Sequence, residues 1–129
     1  MKTILLVDDE YGLVESLTEL LEDDGYRVVS AVNGKEGLAR LQAEKLDLVV
    51  TDHMMPIADG RELAKGMRAL PELGSIPVIM MTAAIEAVAL SDGGGTLEVS
   101  AFLRKPFAFE RLLEAIVRLI GSGEKPAGA

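Results

Sequence analysis

The chain reads as an open α/β domain, a parallel sheet covered by helices on both faces. Short apolar runs alternate with stretches whose apolar residues recur at helical spacing, and this alternation persists to about residue 120. The 129 residues suit one domain, and no internal repeat or second domain is visible. Acidic, hydroxyl and basic residues follow the apolar runs, at the strand ends where open α/β sheets collect their ligands.

The elements follow in order. Thr3–Val7 (TILLV) is a continuous apolar run, as expected of a strand buried on both faces. Leu13, Leu17, Leu20 and Leu21 then recur at helical spacing, and Gly25 stops that helix. Tyr26–Val32 predicts a second strand, Lys35–Glu44 a helix with Leu38 and Leu41 inward, and Leu46–Thr51 a third strand. Arg61–Leu70 predicts a helix carrying Leu63, Ala64 and Met67, with Asp59-Gly60 as its turn and cap. Pro77–Met81 is the fourth strand, Ser100–Arg104 a short fifth, and Pro106–Ile120 a last helix with Leu112, Leu113, Ile116, Val117 and Ile120 on its apolar side.

A fourth helix belongs between Ala83 and Val99. Ala83–Leu90 suits one, but the glycines at 93, 94 and 95 do not, since each interior glycine costs up to ~1 kcal/mol relative to alanine. A short or irregular helix followed by a mobile loop is expected. The polar, small-residue tail from Gly121 is expected to fray, which makes residues 1–121 the domain and 122–129 a flexible tail.

Composition narrows the functions. The formal charge of −8, from 13 basic and 21 acidic residues, argues against direct binding to nucleic acid or anionic membrane. No apolar run approaches the ~20 residues of a membrane span. Cysteine is absent, which removes disulfides and thiolate chemistry and is compatible with a reducing cytoplasm, the expected location.

The strand ends carry the chemistry. Asp8 and Asp9 follow the first strand, Asp52 the third, Thr82 the fourth and Lys105 the fifth. Three carboxylates brought together repel one another, and one of them should resist ionisation. Mg²⁺ relieves such repulsion, since it prefers oxygen ligands and is commonly held by one or two carboxylates and a phosphate. Lys105 supplies a point charge for a phosphoryl oxygen and Thr82 a hydrogen bond. Asp52 then reads as a carboxylate nucleophile of the aspartyl-phosphate kind.

These residues resemble a known family. Asp8-Asp9, the run Asp52-His53-Met54-Met55-Pro56-Ile57-Ala58-Asp59-Gly60, Thr82-Ala83 and Lys105-Pro106-Phe107 match the response-regulator receiver pattern over about Lys2 to Ile120. The resemblance implies a flavodoxin-like sheet of five strands in the order 2-1-3-4-5. It implies that Asp52 takes a phosphoryl group from a phosphohistidine of a sensor histidine kinase or phosphotransfer protein, and that the domain assists its own phosphorylation and dephosphorylation. Mg²⁺ would be bound by Asp9, Asp52 and the backbone carbonyl of Met54, with Asp8 acting directly or through water. Lys105 would pair with the carboxylate and then the phosphoryl group. Thr82 would move toward the phosphate, and Phe102 would take the place of the aromatic rotamer switch. Together they would reshape the fourth helix, fifth strand and last helix for an unidentified output partner. The Lys105–Pro106 bond is expected to be cis.

The sequence also departs from the pattern. Phe102 lacks the hydroxyl many members carry there, Glu98-Val99 stand where a Gly-Ala pair is usual, and Met54 and Ala84 put apolar side chains near the phosphate. His53, the only histidine, is expected to be exposed in the loop, with a catalytic or metal role not favoured because one histidine is a weak metal signal. The methionines are expected to fill the core.

Other functions fit less well. A phosphohydrolase of the haloacid-dehalogenase type would carry D-x-D after the first strand, where this chain has adjacent aspartates. A cofactor binder of the flavodoxin type would need a phosphate-cradling loop there, and none is seen. A receiver fold that no longer switches is a further alternative, because the glycine-rich segment bears on the response.

Overall fold

The computed structural model describes residues 1–55, 57–83, 91–92, 95–96 and 99–123. Its main sheet contains β1 (Thr3–Val7), β2 (Arg27–Ala31), β3 (Leu48–Asp52), β4 (Val78–Thr82) and β7 (Ala101–Arg104). The strands run parallel in the order β2-β1-β3-β4-β7, the order 2-1-3-4-5 that the resemblance implies. β1, β3 and β4 are buried at every position, which is why they read as unbroken apolar runs rather than alternating ones.

Four helices are present among the described residues: α1 (Tyr11–Asp23), α2 (Gly34–Ala43), α3 (Gly60–Arg68) and α4 (Phe109–Ile120). Local chemistry sets their ends. α1 closes before Gly25, which adopts φ 95°, a left-handed conformation that glycine tolerates without steric cost. Asn33 caps α2 by accepting from the Glu36 N–H at 2.8 Å. Asp59 caps α3 by accepting from the Glu62 N–H, while Glu62 accepts from the Asp59 N–H. The Lys105–Pro106 bond is cis, as expected, and α4 starts later than the sequence predicts, Ala108 still being extended.

The sheet separates two cores. Ile4, Leu6, Leu48, Val50, Ile79 and Met81 pack against Leu17 and Leu21 of α1 and Leu112 and Ile116 of α4. On the other face, Leu5, Val7, Val49 and Val78 pack against Leu41 of α2 and Leu63 and Met67 of α3. Each large aliphatic chain so buried contributes about 1.5–3 kcal/mol. Of the methionines, Met67, Met80 and Met81 are core filler as expected, whereas Met54 is 68 % exposed.

The expected short fourth helix falls on residues 84–90, outside the described residues. The glycine-rich stretch that follows is not the open loop expected of it. Ser91–Asp92 (β5) and Gly95–Thr96 (β6) pair antiparallel, separated by two residues, a connection short enough for a hairpin. At the carboxyl end, the Tyr26 hydroxyl donates to the Gly121 carbonyl at 2.6 Å, and the Lys2 ammonium donates to the Ser122 carbonyl at 3.1 Å. Residues 121 and 122, where the tail is expected to begin, are therefore tied to the start of the chain and of β2.

Candidate functional site

The site is built on the sheet's own hydrogen bonding, continued one residue past the strands. Asp8 N–H donates to Ala31, His53 N–H to Met81 and Lys105 N–H to Thr82, at 3.1, 2.8 and 2.8 Å. Asp52 and Thr82 are the last residues of β3 and β4, one place deeper in the strands than the sequence predicts. The acidic pair, the Asp52 carboxylate and the lysine are thus set by ladder geometry at one edge of the sheet.

The structure brings Asp8, Asp9, Asp52 and Lys105 together. Each aspartate offers a carboxylate oxygen within 4.8 Å of the others. Asp8 and Asp52 are 2 % and 9 % exposed, whereas Asp9 faces solvent. The Lys105 ammonium lies 3.1 Å from Asp52 Oδ1 and 3.3 Å from Asp8 Oδ2. The second oxygen of Asp8 accepts from the Glu10 N–H at 2.9 Å, which commits Asp8 to the loop before α1 rather than to a helix cap.

The electrostatics are unbalanced. With carboxylate oxygens within 4.8 Å of each other, Asp8 and Asp52 repel by roughly 3 kcal/mol or more at an effective dielectric of about 20. Three carboxylates against one ammonium leave two negative charges in excess. Burial pushes the Asp52 carboxyl above its ordinary value, opposed by the Lys105 hydrogen bond and reinforced by the Asp8 charge. Burial alone would lower the Lys105 ammonium, but its hydrogen bond to Asp52 and the charges of Asp8 and Asp52 outweigh that and raise it. The donor set is all oxygen, anionic and open on the Asp9 side, which fits a hard divalent cation; the sites of nitrogen- and sulfur-preferring metals are built differently.

Around this centre the loop after β3 folds back tightly. The Gly60 N–H donates to the His53 carbonyl at 3.0 Å, and a Cβ at Gly60 would collide with the Asp52 carbonyl oxygen. Only glycine lets the start of α3 lie against the Asp52 backbone. Ile57, 76 % exposed, sits at φ 70°, a costly conformation for a β-branched residue. Met54, two residues after Asp52, has its side chain in solvent.

Thr82 and Phe102 occupy the neighbouring strands. The Thr82 hydroxyl lies 3.1 Å from His53 Nδ1, and both residues are 2 % exposed. Phe102 is half-buried against Ala64 and Met80. The expectation that His53 is exposed is therefore wrong. Although His53 follows β3, the backbone still bonds to Met81 there, so the side chain keeps the alternation of the strand and turns inward. Burial and the nearby Arg61 charge hold its ring below the ordinary histidine value. Gly60 and the inward His53 were missed as site residues. The D-G pair two places before the apolar periodicity of α3 was the available signal for the first, and strand parity for the second.

Known proteins share this family and fold. The family model of the response regulator receiver domain matches residues 4–117. Response regulator MprA of Mycolicibacterium vanbaalenii is 36 % identical over 134 aligned residues, covering 96 % of this chain and 55 % of that protein. The phosphate regulon transcriptional regulatory protein PhoB of Pseudomonas aeruginosa is 37 % identical over 131, covering 98 % and 56 %. The chain thus spans about half the length of these curated relatives. Among solved structures, chemotaxis protein CheY4 of Vibrio cholerae superposes with a TM-score of 0.80 at 30 % identity, covering 93 % of this chain and 99 % of that one. Response regulator TrrA of Thermotoga maritima, solved in complex with Mg²⁺-BeF, gives 0.76 at 31 %, covering 93 % and 100 %.

Proposed function

The chain belongs to the response-regulator receiver family of two-component signalling, and from that premise we propose that Asp52 is the residue that accepts the phosphoryl group. The observation that carries this reading is the Lys105 ammonium 3.1 Å from the Asp52 carboxylate, itself beside Asp8 and Asp9. An Asp52 oxygen attacks phosphorus while the phosphorus–nitrogen bond to a donor phosphohistidine breaks, leaving the histidine nitrogen its electron pair. The donor is a sensor histidine kinase or phosphotransfer protein. Lys105 holds the ionised acceptor in place beforehand and pairs with a phosphoryl oxygen afterwards.

Asp8, Asp9, Asp52 and the Met54 backbone carbonyl are the groups that would hold Mg²⁺. When bound, the ion neutralises the excess charge of the carboxylates and of the incoming phosphoryl group. Among the described residues no helix is long and apolar enough to cross a membrane, in keeping with work in the cytoplasm.

Phosphorylation then draws the Thr82 hydroxyl toward the new phosphoryl oxygens and Phe102 inward, changing the surface of the fourth-helix segment, β7 and α4 for a partner. The functional unit is residues 1–121, with 122–129 as a tail. The domain also hastens loss of its own phosphoryl group by water. Intact mass after treatment with acetyl phosphate and Mg²⁺ tests the acceptor. One added phosphoryl group is expected, absent in Asp52→Ala, and an unchanged mass in folded wild-type protein refutes the reading.

A further inference from the structure

Side chains alternate along β3 and β4, and the alternation separates two groups that the site must bring together. Asp52 follows the parity of Leu48 and Val50, whose face packs on α1 and α4. His53 and Thr82 follow the parity of Val49, Val78 and Met80, whose face packs on α2 and α3. In this conformation Thr82 is therefore turned to the opposite face of the sheet from the acceptor, and its hydroxyl lies 3.1 Å from His53 Nδ1.

The other ring nitrogen, His53 Nε2, is buried with no hydrogen-bond partner. Among the described residues the Thr82 hydroxyl is thus what satisfies the ring. Either tautomer gives the same outcome when Thr82 turns toward a phosphoryl group, because the Nδ1 bond breaks whichever atom supplied the hydrogen. A ring buried to 2 % exposure is then left with neither nitrogen bonded. Leaving such a group unsatisfied shifts an equilibrium by about fivefold to a hundredfold.

We infer that His53 is a positioning residue that latches Thr82 away from Asp52, setting how readily the domain enters its phosphorylated conformation. The inference deepens the phosphoacceptor reading above and rests on the movement of Thr82 that it contains. An apolar side chain at position 53 has no bond to lose, so it removes the opposition without touching the acceptor, the acidic pair or Lys105.

The test is the dissociation constant of beryllofluoride, the phosphoryl stand-in, measured by calorimetry with Mg²⁺ on the full chain. His53→Phe keeps a ring of similar size without nitrogens, and His53→Leu gives a second apolar filling should the first not fold. Either is expected to bind beryllofluoride about fivefold or more tightly than wild type. His53→Asn, whose short amide again offers Thr82 a partner, is expected to return toward the wild-type value. In a Thr82→Ala background the apolar substitutions are expected to change nothing. Binding equal to or weaker than wild type in the apolar variants, or a gain that persists without the Thr82 hydroxyl, overturns the latch while leaving the phosphoacceptor reading intact. No beryllofluoride binding in any variant, wild type included, sinks that reading and the latch with it.

Discussion

Gly60→Ala probes how Asp52 is held. A Cβ at this position would overlap the Asp52 carbonyl oxygen, and would also lie 3.2 Å from the Asp52 carbonyl carbon and from Met80 Cε. The methionine terminus can swing aside, but the carbonyl cannot. It belongs to the last residue of β3, it accepts from the Thr51 hydroxyl at 3.0 Å, and Gly60 is itself tied to the His53 carbonyl at 3.0 Å. Overpacking against fixed atoms costs about 1–3 kcal/mol, and the obstacle here is backbone, so the upper end applies. Alanine recovers at most ~1 kcal/mol through helix propensity. The net loss is about 2 kcal/mol, which moves the urea midpoint down by roughly 1 M for a domain of this size. Gly66→Ala is the control, because its Cβ would meet only the flexible Leu38 side chain, at 3.2 Å, and a gain of up to ~1 kcal/mol is expected. Circular dichroism through a urea series reads both. A Gly60→Ala protein as stable as wild type would show that the turn yields easily and that the close approach is incidental to the site.

Three further perturbations follow from the same geometry. Lys105→Met leaves Asp8 and Asp52 buried without their cation; because Lys105 is partly exposed, the loss at neutral pH should be about 2 kcal/mol, below that of a fully buried pair. Since Lys105 is raised above 10.5, its contribution is complete below that pH and disappears as pH climbs through the folded value, so wild type and variant should converge in strongly alkaline urea melts; a constant gap contradicts the ion pair. Asp52→Asn should stabilise the metal-free protein at neutral pH. The raised carboxyl takes stability away as pH rises from 3.8 through its folded value and holds that deficit above it, so a variant no more stable than wild type at pH 7 in chelator would remove the strain assigned to the cluster. Ile57→Gly should stabilise by about 0.5–1 kcal/mol, the relief of a left-handed β-branched residue less the added freedom of the unfolded chain, and a lower thermal midpoint would count against it.

Much of this was legible because buried parallel strands announce themselves. TILLV, LVVT and VIMM have no polar face to hide, and whatever follows each of them must sit at the sheet's edge. Asp8, Asp9, Asp52 and Lys105 were found that way, and their convergence is a matter of register rather than of loop conformation. What escaped was direction. Treating His53 as a loop residue released it from the strand's alternation, yet one further backbone bond to Met81 carried the pleat past the last strand residue. The glycines of the ribbon misled in the opposite sense. They argue against a continued helix, and β5 and β6 pair antiparallel where an open loop was expected. Gly60 was read as part of a turn; that it must be bare, because a carbonyl lies against it, depends on a neighbour eight residues away that no local pattern records.

The place of Lys105 on the far edge of the sheet has a consequence for the growing chain. The ribosome releases Asp8, Asp9 and Asp52 long before the strand that delivers their ammonium, which lies at the sheet's edge. Until it docks, the nascent domain carries an acidic edge with nothing to balance it, and Coulomb repulsion works against closing the centre early. Assembly of the centre is thereby coupled to arrival of the edge strand, since Asp8 and Asp52 meet their counter-charge only when Lys105 is in place.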